Sequence, residues 1–232
     1  MKILAVDTST TSCSVAVVDK DLLLAEMTID REQTHAKHLM DMIHTVMEFS
    51  GLAVSALDGF AVTRGPGTFT GLRIGISTIK GLAMASGKPV VGISSLDALA
   101  EQCACSAYFI CVLLDARKGE VYFSGYRFED GVLKKEVDEG VLPPRQAVRA
   151  INEPSLFVGN GARVYRDTLV ETMGGLAYFV PSCQNTIRAS TVARLSKNRF
   201  EKTKTDDVAT LIPQYIRKSD AELSYKKVDR SR

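Results

Sequence analysis

Three short apolar runs joined by tight turns, then a helix, then a strand, occur twice along this chain, and that repetition limits the fold more than any one motif does. Residues 3–7, 13–19 and 22–29 read as strands, separated by Thr- and Ser-rich and Asp-rich turns. Apolar periodicity predicts a helix over 33–50, stopped by Gly51. A strand over 57–63, a helix over 69–86, a strand over 89–93 and a helix to about 103, capped by Ser94 or Ser95, follow. Near residue 105 the pattern restarts, with strands over 108–115, 120–128 and 131–139. Pro143-Pro144 opens a helix to 151; a strand over 156–159 and helices over 164–173 and 189–197 come next. No residue-level repeat accompanies the duplicated order. It implies an α/β protein of two related lobes, 1–105 and 106–232. Residues 201–207 read as a polar loop, and Pro213-Gln214-Tyr215-Ile216-Arg217 as an extended segment folding back over a lobe.

Composition narrows the function. The chain is 45% hydrophobic and 24% charged, the balance of an ordinary globular protein. A net charge of +2, mixed along the chain, gives no strong pull toward nucleic acid; Lys226, Lys227, Arg230 and Arg232 form a local basic tail that reads as a solvated terminus. Asp7 interrupts what would be the apolar core of a signal peptide, and no run is long enough to span a bilayer, so a cytosolic protein is expected, without membrane contact. The five cysteines (13, 103, 105, 111, 183) lack repeated metal-ligand spacing and read as reduced, buried thiols.

Two segments have the residue types for anion chemistry. Asp7-Thr8-Ser9 ends a buried strand in a hydroxyl-rich turn, which serves either as a turn alone or as a cradle of N–H groups for a phosphate, with the carboxylate placing a metal on it. The run from Thr63 through Gly65-Pro66-Gly67 to Gly75 turns rigidly from strand to helix, with Thr68 as the candidate N-cap. It lacks the Gly-Lys-Ser/Thr ending of a P-loop. Gly71 and Gly75, four residues apart, read equally well as a small-residue strip that lets another helix approach closely.

The two helices flanking this run raise a third possibility. On the first, Ala36, Leu39, Met40, Ile43, Val46 and Met47 form a sheet-facing stripe, with Met42 and Phe49 on a neighbouring strip beside His35 and His38. The second is apolar nearly all round through Leu72, Ile74, Ile76, Ile79, Leu82, Ala83 and Met84. Such a surplus suits either a protein interface or an internal core. His35 and His38 lack neighbours that would complete a metal site, and no nucleophile-and-base arrangement is visible.

Taken together, Ile3-Leu4-Ala5-Val6-Asp7-Thr8-Ser9, the run from Arg64 to Gly75, Ser94-Ser95-Leu96-Asp97-Ala98-Leu99 and Pro213–Arg217 resemble the TsaB (YeaZ) family. The resemblance implies the actin, sugar-kinase and Hsp70-like (ASKHA) fold, each lobe carrying a mixed five-stranded sheet flanked by helices. It also implies a scaffold without catalytic residues, cofactor or metal, acting in synthesis of threonylcarbamoyladenosine in tRNAs reading ANN codons. The related catalytic protein, TsaD, holds a metal through two histidines; the matching positions here are Ser95 and Leu99, poor or incapable as ligands. The family binds TsaD through its first two helices, the ATPase TsaE joins, tRNA is reached through the complex, and the isolated subunit pairs with itself. Placed on this sequence, the interface is expected at His35, His38, Met42, Val46, Phe49, Leu72, Arg73, Ile76, Ile79 and Lys80, with Ile76→Glu expected to break it in a folded subunit. Asp7, Thr8, Ser9, Gly65 and Gly67 would be the remnant of a phosphate site, with weak nucleotide binding as its residual property. Two rivals stay open: a nucleotide-dependent enzyme of the same fold, such as a small-molecule kinase, and a tRNA-binding module using the basic tail.

Overall fold

The computed structural model describes residues 1–30 and 35–217. The expected helix start at Gln33, the side chain of His35 and the basic tail at Lys226, Lys227, Arg230 and Arg232 lie outside the described residues. Strands β1 (Lys2–Asp7), β2 (Ser12–Asp19) and β3 (Leu22–Asp30) form the first meander, followed by α1 (His35–Ser50), β4 (Gly59–Gly65), α2 (Phe69–Ser86), β5 (Val90–Ser94) and α3 (Ser95–Glu101). The second meander is β6 (Phe109–Arg117), β7 (Glu120–Glu129) and β8 (Val132–Leu142). Then come α4 (Pro144–Val148), β9 (Ser155–Val158), α5 (Asn160–Val164), α6 (Arg166–Met173), β10 (Ala177–Phe179) and α7 (Ala189–Glu201). The sheets order as β3-β2-β1-β4-β5 and β8-β7-β6-β9-β10, the same path drawn twice. In each, the meander is antiparallel and the last two strands run parallel to the first.

Three departures from the sequence reading have local causes. Strand β10 goes unannounced because it is three residues long, too short for alternation to register. The helix expected over 164–173 begins at Arg166, and a further short helix, Asn160–Val164, precedes it, separated at Tyr165, whose φ of −105° breaks the helical path. Cys13, Cys103 and Cys111 are buried as expected, but Cys105, in a turn, and Cys183, in a short 3-10 helix over Ser182–Gln184, are exposed.

Both faces of the first sheet are covered. On one lie α1 and α2, sharing a core with Leu4, Val6, Val15, Val17, Phe60 and Val62. The stripe of α1 is Leu39, Met42, Ile43, Val46 and Met47, all buried, whereas Met40 is 52% exposed and Ala36 is exposed. The buried arc is thus rotated toward Met42, which corrects the expected stripe. Each of these side chains contributes roughly 1.5–3 kcal/mol relative to exposure. On α2, Leu72, Ile76, Ile79 and Ala83 are buried, Ile74 and Leu82 half-buried, and Met84 72% exposed.

The opposite face of the first sheet meets the second sheet across α3 and α7. Ile3, Ala5, Ala61 and Val91 share a core with Leu96 and Leu99 of α3, Val192 and Ala193 of α7, and Ile110 and Val112 of β6. Helix α7, though late in the chain, lies on β1, β2, β4 and β5. Its N-terminus has no cap from its own flanking residue. Instead Glu26 Oε1 on β3 accepts from the Ser190 N–H and hydroxyl at 2.9 and 2.8 Å, and Ser14 Oγ accepts from the Ala189 N–H at 3.0 Å. Glu26 also receives the Arg188 Nε–H at 2.9 Å. A carboxylate there satisfies orphan helix donors and complements the helix dipole.

The last described stretch returns to the first lobe. Asp206 bridges to Val90, Lys80 Nζ donates to the Ala209 and Leu211 carbonyls, and Leu211 is buried beneath α2. Tyr215 stacks on Phe69 at 5.1 Å and accepts from Arg73 Nε at 2.9 Å, while the Arg73 guanidinium lies 3.6 Å over the Phe69 ring.

Helix α2 sits unusually close to the turn after β1. A Cβ at Gly67 would fall 2.2 Å from the Ser9 carbonyl oxygen, and one at Gly75 would fall 2.3 Å from Thr8 Oγ1. Gly67→Ala must therefore push backbone apart, at a cost of about 2–3 kcal/mol in urea unfolding. Glu26→Ala strips α7 of its cap and should cost about 2 kcal/mol by the same measurement. Burial raises the Cys13 and Cys103 thiols to about 12, with the Asp7 charge adding to the effect at Cys13, and lifts Cys111 further. A thiol reagent at about pH 8 should then label two of the five cysteines, Cys105 and Cys183, until denaturant is added.

Candidate functional site: the β1–β2 turn and the outer faces of α1 and α2

The β1–β2 turn is internal through Thr10, and Thr11 is exposed. Asp7, Thr8 and Ser9 are each 0% exposed. Asp7 Oδ1 accepts three hydrogen bonds: from the Ser9 N–H at 3.1 Å, the Ser9 hydroxyl at 2.6 Å and the Thr63 hydroxyl at 2.7 Å. Thr8 donates its hydroxyl to the Gly71 carbonyl at 2.7 Å, and the Ser9 carbonyl accepts the Thr68 N–H at 2.7 Å. The hydroxyls and the Ser9 N–H that could have wrapped a phosphate are thus turned inward.

The glycine run completes this closure. Gly65 carries φ of +117°, and the Gln214 carbonyl lies against it, 2.7 Å from where a Cβ would sit. Gly67 packs on Ser9 and Gly75 on Thr8. The expected small-residue strip thus meets a turn rather than another helix, because the close neighbour of Gly75 is Thr8. Thr68 stands at the N-cap position of α2, but its side chain makes no cap hydrogen bond. The Ser94 hydroxyl, by contrast, does cap α3, accepting from the Leu96 and Asp97 N–H groups at 3.2 and 3.4 Å.

In the second sheet, Asp115 stands near the end of β6 as Asp7 does at the end of β1, a correspondence the sequence reading missed. Its Oδ1 accepts from the Arg117 N–H at 2.9 Å and the Tyr165 hydroxyl at 3.2 Å. The turn beyond it runs through Arg117, Lys118 and Gly119, all at positive φ. The signal was the shared apolar run ending in Asp, at Ala5-Val6-Asp7 and Leu113-Leu114-Asp115.

At the N-terminus of α3, Ser95 and Leu99 are both 0% exposed, and Leu99 packs in the core between the sheets. Among the described residues, no group of three or more His, Cys, Asp or Glu is arranged to hold a metal. No helix among them is long and apolar enough to cross a membrane.

The expected interface residues separate into two sets. Met42, Val46, Leu72, Ile76 and Ile79 are at most 3% exposed and belong to the chain's own core, so they offer no surface to a partner. Ile76→Glu would bury a charge there and unfold the lobe, which corrects the expectation that this variant stays folded. Phe49 and Arg73 are exposed, His38 and Lys80 half-buried. Lys80 and Arg73 are already engaged by the chain's closing segment. The apolar side chains that α1 and α2 do present are Phe49 at 77%, Met84 at 72%, Met40 at 52% and Phe69 at 43%. The sequence reading found Phe49 but assigned Met40 to the sheet.

Comparison with known proteins agrees with this architecture. The family model for TsaD, tRNA N6-adenosine threonylcarbamoyltransferase, matches residues 23–225. The tRNA threonylcarbamoyladenosine biosynthesis protein TsaB of Haemophilus influenzae is 31% identical over 242 residues, covering 98% of this chain and 97% of the relative. Its counterpart in Escherichia coli is 33% identical over 173 residues, covering 72% and 74%. The solved structure of YeaZ from Pseudomonas aeruginosa superposes with a TM-score of 0.78 at 31% identity, over 92% of this chain and 99% of that one. The doubled sheet path is that of the actin, sugar-kinase and Hsp70-like fold. With its sheets, its glycine run and these relatives in agreement, the chain belongs to the TsaB (YeaZ) family.

Proposed function

We propose that this chain is a non-catalytic scaffold for threonylcarbamoyladenosine synthesis in tRNAs reading ANN codons, and that it works in the cytosol by binding TsaD. The lobe formed by residues 1–105 carries the contact, through the outer faces of α1 and α2. TsaE joins the assembly, tRNA is reached through the complex, and the free subunit pairs with itself over much the same surface.

One observation carries the reading: on two neighbouring helices that already fill their own core, Phe49 and Met84 still stand 77% and 72% exposed. Large apolar side chains so placed suit a partner, and methionine suits adaptable packing. Two further features support a subunit without chemistry of its own. The β1–β2 turn spends its hydroxyls and the Ser9 N–H on internal bonds, leaving little to grip a phosphate. The position matching a metal-binding histidine is Leu99, which has no ligand atom. The relatives' name supplies the pathway.

Phe49→Glu places a charge on an exposed position and should leave the fold intact. It should weaken association with TsaD at least tenfold and abolish modification of tRNA by a mixture of this chain, TsaD, TsaE, ATP and threonylcarbamoyl-adenylate. Wild-type affinity and activity in the Phe49→Glu protein would remove α1 from the interface. Modification that proceeds equally well without the chain would overturn the scaffold role.

A further inference from the structure

Between the sheets, on the side away from α1, the molecule holds a cavity of about 510 Å³. It is walled by the ends of β4 and β5, by β8 and α7, and by Gln214 of the closing segment. Most of its charges are accounted for. Lys135 Nζ pairs with Asp97 at 2.9 Å and Glu139 at 3.0 Å. Arg199 pairs with Asp206 at 3.1 Å and donates to the Gly92 carbonyl at 2.8 Å. Glu139 also accepts from Ser94 and, at 3.3 Å, from Gln214 Nε2.

Arg64 is different. Its Nε is buried with no hydrogen-bond partner, and no carboxylate among the described residues is within ion-pairing distance of its guanidinium. The side chain is nevertheless held in place. Its stem packs on Gly92, where a Cβ would come within 3.0 Å of Arg64 Cδ, and its carbonyl accepts the Gln214 N–H at 2.6 Å. The Nε–H of this half-buried arginine is withdrawn from water without an acceptor, which is destabilising, and buried polar groups left in that condition call for an explanation. The guanidinium's planar fork matches a carboxylate or phosphate. The lining is also acidic, through Asp138 and the already engaged Glu139, so a polyanion such as a nucleoside triphosphate fits poorly.

We propose that this cavity binds a small molecule through one oxyanionic group, a carboxylate or a phosphate, received by Arg64, with a hydrogen-bond donor or cationic group of the ligand turned toward Asp138. Neither the helix face nor the partner of the preceding section enters this assignment, so the two stand or fall separately.

The Arg64 Nε–H gives its own signal in a proton–nitrogen correlation spectrum, so the chain can be titrated with inorganic phosphate, acetate, glycine and ATP. The expected result is a saturable shift of that signal with phosphate, or with acetate and glycine, which tells the phosphate class from the carboxylate class. Arg64→Met keeps the stem on Gly92, removes the unpaired donor, and should bind the same probe at least tenfold more weakly while unfolding at the same temperature or higher. No saturable shift with phosphate, acetate or glycine would overturn the proposal. So would ATP binding tighter than all three, or an Arg64→Met protein that binds the probe as wild type does.

Discussion

The first lobe depends on how closely the backbone of α2 approaches the turn after β1. Gly67 and Gly75 bring that helix within contact of the Ser9 carbonyl and the Thr8 hydroxyl, where any side chain would collide. Once seated, the helix supplies the Gly71 carbonyl to Thr8 and the Thr68 N–H to Ser9, and Asp7 gathers Ser9 and Thr63 around it. Asp7, Thr8, Ser9, Thr63 and Gly71 are buried, so their hydrogen bonds matter through the desolvation they offset. Seating α2 here also decides which of its own side chains face outward.

The same contact explains why two readings of one motif could not be separated beforehand. A turn rich in hydroxyls and glycines looks alike whether it wraps a phosphate or receives a helix. What decides is the direction of the N–H and hydroxyl groups, a tertiary property. Here the Thr8 hydroxyl, the Ser9 N–H and the Ser9 hydroxyl all find partners within the chain.

The element order was legible because both meanders have strong turn chemistry and because α2 is bounded by Gly-Pro-Gly before it and Gly87 after it. Helix faces were less so. Met40 and Met42 are equally apolar, and only the seat of α1 over β2 and β3 decides that Met42 goes in and Met40 out. The surplus apolar character of α2 was legible as surplus, but its assignment to a partner was too generous: most of it fills the core, and Met84 remains outside. Arg64 gave no signal at all. Its lack of an acceptor follows from where β8, α7 and the closing segment place their carboxylates, which no local pattern encodes.

Helix α7 covers a sheet whose last strand ends about a hundred residues earlier in the chain. On the ribosome, at roughly 5–20 residues per second, that separation is on the order of ten seconds of synthesis. For that interval the face carrying Ile3, Ala5, Ala61 and Val91 has only α3 to cover it, and the larger cover, α7, has not been made. The nascent chain must therefore carry a largely uncovered apolar sheet face through the making of its second half. Its hazard during biogenesis lies there, in a surface that is wholly hidden in the finished molecule.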